Sequence, residues 1–168
     1  LFYAFQTLML ASEPNNRNSV PLMEVADKPR FEYRGLMLDV SRFFIPKEDV
    51  LRIIDCMSML KLNKLHLHLT DDNGWRLEIK KYPRLTEVGA WRVNRNNLDF
   101  PDRRNSEIGE PVPVGGFYTQ KDIKDIVEYA QQRYVEIIPE IDMPGHSNAA
   151  LAAYPELACP SVDKPIGV

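Results

Sequence analysis

The sequence predicts an α/β fold built on parallel strands, and three observations predict it. Strand-like and helix-like hydrophobic patterns alternate three times after residue 31, the order that parallel strands joined by right-handed helical crossovers produce. Polar side chains collect where each strand pattern ends: Asp39 after the first, Asp71 and Asp72 after the second, Asp142 and His146 after the third. Open sheets share the alternation, but in a (β/α)8 TIM barrel the C-terminal strand ends carry the active site, because the loops converge there on one mouth. The clustering favours a partial TIM barrel of about the first three βα units. The third observation is composition: 168 residues, 44% hydrophobic and 27% charged, suffice for a globular core.

Each element follows from its local pattern. Residues 1–11 place Phe2, Phe5, Leu8 and Met9 three or four apart, one face of a helix. Their apolar run lacks the basic flank of a signal peptide. Residues 12–30 turn to Pro, Asn, Ser and scattered charge, and Pro14, Pro21 and Pro29 discourage helix, so 1–30 reads as the end of a preceding unit and a linker. Residues 31–168 form the domain proper, opening with a compact apolar strand at 34–40. A helix starts near Lys47 and buries Val50, Ile53, Ile54, Met57 and Leu60. Residues 64–70 (KLHLHLT) alternate strictly, so Leu65, Leu67 and Leu69 face one layer and His66, His68 and Thr70 the other. Residues 91–116 are a Pro-, Asn- and Arg-rich excursion longer than ordinary connections, on the mouth side. A helix at 120–133, a strand at 135–141 and a short alanine-rich helix at 147–153 complete the third unit.

Charge and cysteine content narrow the function. Twenty-one basic and twenty-four acidic residues give a net charge of −3, without the basic excess that tracks a phosphate backbone, so no nucleic-acid partner is expected. No apolar run reaches the length of a membrane span. Cys56 and Cys159 form neither a CxxC pair nor a zinc-finger spacing. Cys56, inside an apolar helical pattern, is expected to be buried as a small hydrophobe. Trp75 and Trp91 are read as core residues, although aromatic rings also stack on sugars.

His66-x-His68 with Asp71 and the distant His146 contains zinc-ligand residue types, and strand-end pairs of this sort occur in metal-dependent barrel hydrolases. That set defines one candidate function. A non-catalytic sugar-binding fragment is another.

Three segments carry a family resemblance: YRGLMLDVSR at 33–42, KLNKLHLHLTDDNGWRLEIKKYPRLTEVGAWR at 61–92, and GGFYTQKDIKDIVEYA with IIPEIDMPGHSNAALAAYPEL between 115 and 157. Together they resemble glycoside hydrolase family 20, the β-N-acetylhexosaminidases, in order and spacing. The opening FYAFQTL resembles the last helix of the small α/β domain that precedes the barrel in that family.

The resemblance implies a glycosidase that removes terminal N-acetylhexosamine from oligosaccharides or glycoconjugates, with no cofactor and no metal. It implies that Arg34 hydrogen-bonds the hydroxyls of the terminal sugar, a task suited to a planar guanidinium. Arg34 stands five residues before Asp39, about 16 Å at ~3.3 Å per residue, so the match requires a deep pocket or a bent strand. Asp71 and His146 match a carboxylate and an imidazole that support the catalytic acid. Asp72 competes with Asp71 for the inward position, and Glu140 and Asp142 are further candidates for orienting the loops. Phe43 stands where relatives typically carry histidine. The family's adjacent Asp and Glu, preceded by Gly-Gly, do not occur in these residues, and Gly115-Gly116 is followed by Phe-Tyr. The 168 residues are therefore expected to be inactive alone and prone to self-association through unpaired strand edges. The family setting is periplasmic, secreted or lysosomal; the residues themselves leave the compartment open.

Overall fold

The computed structural model describes residues 1–12, 19–95, 97–98, 106–107, 109–159 and 167–168. Positions 13–18 of the linker and 96, 99–105 and 108 of the excursion lie outside the described residues.

The centre is a parallel sheet of β1 (Gly35–Asp39), β2 (Lys64–His68) and β7 (Glu136–Glu140), in the order β1-β2-β7. Helices α2 (Lys47–Met59) and α4 (Gln120–Gln131) cross between these strands. Alternation in β2 works as its sequence requires. Leu65 and Leu67 are buried with Val50, Ile54 and Met57 of α2 and Ile126 and Ala130 of α4. Removing such side chains from water contributes roughly 1.5–3 kcal/mol each, which makes this layer the main source of cohesion.

Register fixes the opposite face. Met37 pairs with His66 and Asp39 with His68 across β1–β2, while Ile138 and Glu140 pair with the same histidines across β2–β7. Side chains at paired positions project to the same side. The face away from the helices therefore carries Met37, Asp39, His66, His68, Ile138 and Glu140, and in a closed barrel it is the interior.

Helix ends agree with their sequences. Thr119 opens α4 with a capping box: its Oγ1 accepts from the Asp122 N–H at 3.1 Å, and Asp122 accepts from the Thr119 N–H at 3.0 Å. Lys47, at the start of α2, donates to Asp122 at 2.6 Å and Asp125 at 3.2 Å, tying the two helices. Lys47 and Thr119 hold the Asp122 carboxyl down to about 2.

Four expectations need correction. The strand expected over 64–70 ends at His68, and Thr70–Asp71 (β3) turns into a short antiparallel pair with Gly74–Trp75 (β4). Cys56 is exposed, because it stands about 100° around α2 from Met57 and off the buried stripe; Leu60, past the helix end, is 68% exposed. Helix α1 (Phe2–Ala11) forms, yet Phe5, Leu8 and Met9 are exposed. Its contacts run instead through Phe2, 4.7 Å from the Tyr134 ring, and Thr7, which accepts from Lys61 Nζ at 2.6 Å. The part of the barrel it meets is aromatic and polar, so it docks by that edge.

A second cluster sits at the C-terminal ends of the strands. Trp75 packs with Leu85, Ala149, Ala153 and Val168, and its indole N–H donates to the Leu77 carbonyl at 2.7 Å. Trp91 is half-buried and donates to the Thr86 carbonyl at 3.0 Å. Residues Trp91–Arg92 (β5) pair with Val114–Gly115 (β6), closing the base of the excursion. No helix among the described residues is long and apolar enough to cross a membrane.

Candidate active site

The site grows from the last layer of the sheet. His68, in the central strand, stands between Asp39 and Glu140 by register. Its Nδ1 lies 2.9 Å from Glu140 Oε2 and its Nε2 lies 2.8 Å from Asp71 Oδ2. Burial alone would lower the proton affinity of His68, but bonds to Asp71 and Glu140 raise it above the ordinary imidazole value. In return, the His68 bond holds the Glu140 carboxyl below its ordinary value. His66, two residues earlier on the same face, also reaches Glu140, at 2.6 Å.

Asp71 is the hub. It is 2% exposed, on the turn that leaves β2. Oδ2 meets both His68 and Arg42, whose guanidinium lies 2.6 Å away. Oδ1 accepts from the Asp72 N–H at 2.6 Å and faces His146 Nδ1 at 3.3 Å. Burial of a carboxylate calls for polar or charged partners, and Asp71 has them on both oxygens. His146 is about half exposed and adopts a left-handed φ of 50°, placing its ring at the mouth.

Asp72 accepts from the Asn148 N–H at 3.1 Å, at the start of α5 (Asn148–Ala153), and lies 3.5 Å from His146. Asp142 contributes through its main chain, its N–H donating to Thr70 Oγ1 at 2.9 Å. The structure thus brings Asp71, Asp72, His146 and Glu140 into one network, with Asp142 at its margin.

Arg34, which the resemblance assigns to the sugar, does not join them. It precedes Gly35 at the opposite end of β1, with its Nε donating to the Lys61 carbonyl at 2.7 Å and another nitrogen to the Phe31 carbonyl at 2.8 Å. The guanidinium also lies 5.7 Å from the Tyr3 ring, beside a cavity lined by Tyr3, Leu8, Pro21 and Leu60. These contacts hold Arg34 at the start of β1, whereas Asp39 stands at its end.

Arg42 is the arginine that lies beside Asp39 and Asp71. It follows β1 directly, bridges Asp39 and Asp71 at 2.6 Å each, and remains 48% exposed. Burial would raise the Asp39 carboxyl, but main-chain and side-chain bonds from Arg42 hold it below its ordinary value. The signal for Arg42 was present in the sequence: it lies just past a strand's C-terminal end, where barrel loops form the site. Arg76 gave no such signal. It is fully buried, and its hydrogen bonds run to the main-chain carbonyls of Val40, Ser41, Asn73, Ala90 and Gly116.

The metal-ligand set His66, His68, Asp71 and His146 does not converge. Both ring nitrogens of His68 are bonded to carboxylates, and His66 turns to Glu140. Asp71, Asp72 and His146 alone place ligand-type atoms within 4.8 Å of one another among the described residues.

The arrangement is a parallel α/β layer with charged groups gathered at the C-terminal strand ends, as in the first units of a (β/α)8 barrel. The profile of glycosyl hydrolase family 20, catalytic domain, matches residues 31–166. A beta-hexosaminidase of Porphyromonas gingivalis is 49% identical over 166 residues, covering 94% of this chain and 20% of its own length. The N,N'-diacetylchitobiase of Vibrio harveyi is 42% identical over 160 residues, covering 90% of this chain and 17% of its own. The solved β-N-acetylhexosaminidase of Bacteroides fragilis superposes with a TM-score of 0.77 at 41% identity, covering 94% of this chain and 30% of its own. The chain belongs to glycosyl hydrolase family 20. It spans about a fifth of the length of these two sequence relatives.

Proposed function

We propose that the protein carrying these residues is a β-N-acetylhexosaminidase, hydrolysing terminal non-reducing N-acetylhexosamine by a substrate-assisted, retaining route. In that route the acetamido oxygen of the substrate attacks the anomeric carbon, an aspartate orients the acetamido group, and a glutamic acid protonates the leaving oxygen. Neither of those two acidic groups stands in the family's motif within residues 1–168. The part played by this chain is to hold the sugar and to support the acid. Residues 1–30 are read as the end of a preceding domain and its linker.

The observation that carries this reading is the buried Asp71 carboxylate, set between Arg42 and His68 and facing His146. Asp71 fixes the tautomer and orientation of His146, and a fixed imidazole at the mouth tunes the proton affinity of a neighbouring carboxylic acid. Arg42 takes the sugar-hydroxyl role first assigned to Arg34, since its guanidinium is held by two carboxylates and half open to the mouth. Asp72, Glu140 and Asp142 orient the surrounding groups.

Steady-state kinetics of the full-length protein on 4-nitrophenyl N-acetyl-β-D-glucosaminide test the reading. Asp71→Asn is expected to lower kcat about 10²-fold or more, the scale of a lost acid–base contribution. Arg42→Ala is expected to act mainly on KM. A wild-type protein that fails to release 4-nitrophenol, or an Asp71→Asn variant at full kcat, sinks the reading.

A further inference from the structure

Arg42 is held by its main chain as well as by its side chain. Its own N–H and that of Ser41 donate to Asp39 Oδ1 at 2.9 and 3.0 Å. The carbonyl before it, Ser41 C=O, accepts from Arg76 at 2.6 Å. Its own carbonyl accepts from Arg92 at 3.1 Å. The Ser41 hydroxyl donates to the Gly74 carbonyl at 2.6 Å. Thus the peptide groups on both sides of Arg42 are each gripped by a guanidinium from a different segment, Arg76 just after β4 and Arg92 in β5.

The grip by Arg76 is built into the packing. Arg76 is 0% exposed, and burial lowers its pKa to about 10, so it stays a cation at neutral pH. A Cβ at Gly74 would stand 2.3 Å from its guanidinium, so glycine is needed there for the side chain to pass. The remaining bonds tie the loop after β1 to Ala90, just before β5, and to Gly116, just after β6. Five main-chain acceptors match the five N–H donors of a guanidinium, and they belong to the segments that frame the mouth. Arg92 comes from β5 and reaches the same loop from the excursion side.

We propose that Arg76 and Arg92 are positioning residues for Arg42, clamping the main chain on either side of it so that its side chain stays between Asp39 and Asp71 with its outer edge toward the sugar. The inference rests on the sugar-binding role of Arg42 proposed above. A misplacement of about 1 Å in a substrate-holding group is enough to weaken activity by up to about 10²-fold, so a main-chain clamp has a kinetic signature distinct from general stability.

The test is a double-mutant cycle in the full-length protein, with KM, kcat and thermal midpoint read for each variant. Arg92→Ala is expected to raise KM about 10-fold with kcat within about twofold, and Arg92→Lys, which keeps one donor, to recover part of it. In an Arg42→Ala background, Arg92→Ala is expected to add nothing further to KM. Arg76→Lys is expected to raise KM in the same way; if it fails to fold, the Arg92 and Arg42 variants still decide the matter. Additive effects of Arg92→Ala and Arg42→Ala, or a silent Arg92→Ala beside an impaired Arg42→Ala, overturn the clamp alone. A silent Arg42→Ala overturns the sugar-binding assignment and the clamp with it.

Discussion

His68 shows how a single side chain reports on its neighbours. Its imidazole is nearly buried yet flanked by Asp71 and Glu140, so the folded state holds its proton more tightly than the unfolded chain does. A group whose pKa is raised on folding contributes stability that is fully present below the unfolded value of about 6.5 and is lost as pH rises through the folded value. Glutamine at 68 can keep a donor toward Asp71 but does not titrate. We predict that the wild-type advantage in unfolding midpoint over His68→Gln is largest at mildly acidic pH and shrinks above neutrality. A pH-independent difference between the two would mean that the imidazole contributes shape and not charge. The two histidines of β2 were legible as a polar face from alternation alone. What the alternation did not reveal is that both would be committed to carboxylates, because Glu140 arrives from a strand about seventy positions away.

At the scale of elements, the strand β1 separates two arginines with opposite duties. Arg34 at its start is bonded to the carbonyls of Phe31 and Lys61, and Arg42 beyond its end meets Asp39 and Asp71. Hydrogen bonds from a charged donor to main-chain acceptors contribute roughly 1.5–3 kcal/mol each at most in partly buried settings. Arg34→Ala is therefore predicted to lower stability by about 1–2 kcal/mol while leaving KM unchanged, a pair of readings obtained from denaturant titration and steady-state kinetics. A raised KM without loss of stability would return the sugar contact to Arg34. Helix existence was plain from periodicity in α2 and α4, where apolar stripes and a capping box agree with the fold. The buried face of α1 was not, since Phe5, Leu8 and Met9 have the spacing of a core stripe but stay half exposed or more.

At the scale of the whole molecule, the described residues form a layer covered by helices on one face and open on the other. Met37, on the open face of β1, is 55% exposed, and β1 and β7 each lack a second strand neighbour among the described residues. Open strand edges beside exposed apolar side chains favour pairing with another chain. The isolated 168-residue chain is predicted to elute from a size-exclusion column as dimers or larger species and to leave a chromogenic N-acetylglucosaminide intact. A stable monomer would show that the open face tolerates water. Supplying the remainder of the protein is predicted to restore a single compact species.

Sequence alone determined the parallel α/β order, the polar face of β2 and the gathering of Asp39, Asp71, Asp72 and His146 at strand ends, because side-chain periodicity and strand polarity are local properties. It also determined the family, through long segments in fixed order. Only the tertiary structure decided which arginine reaches Asp71 and that Arg76 grips the loop holding it. Those outcomes depend on register between strands and on where main-chain carbonyls from separate loops converge, and neither is encoded in any one stretch of chain.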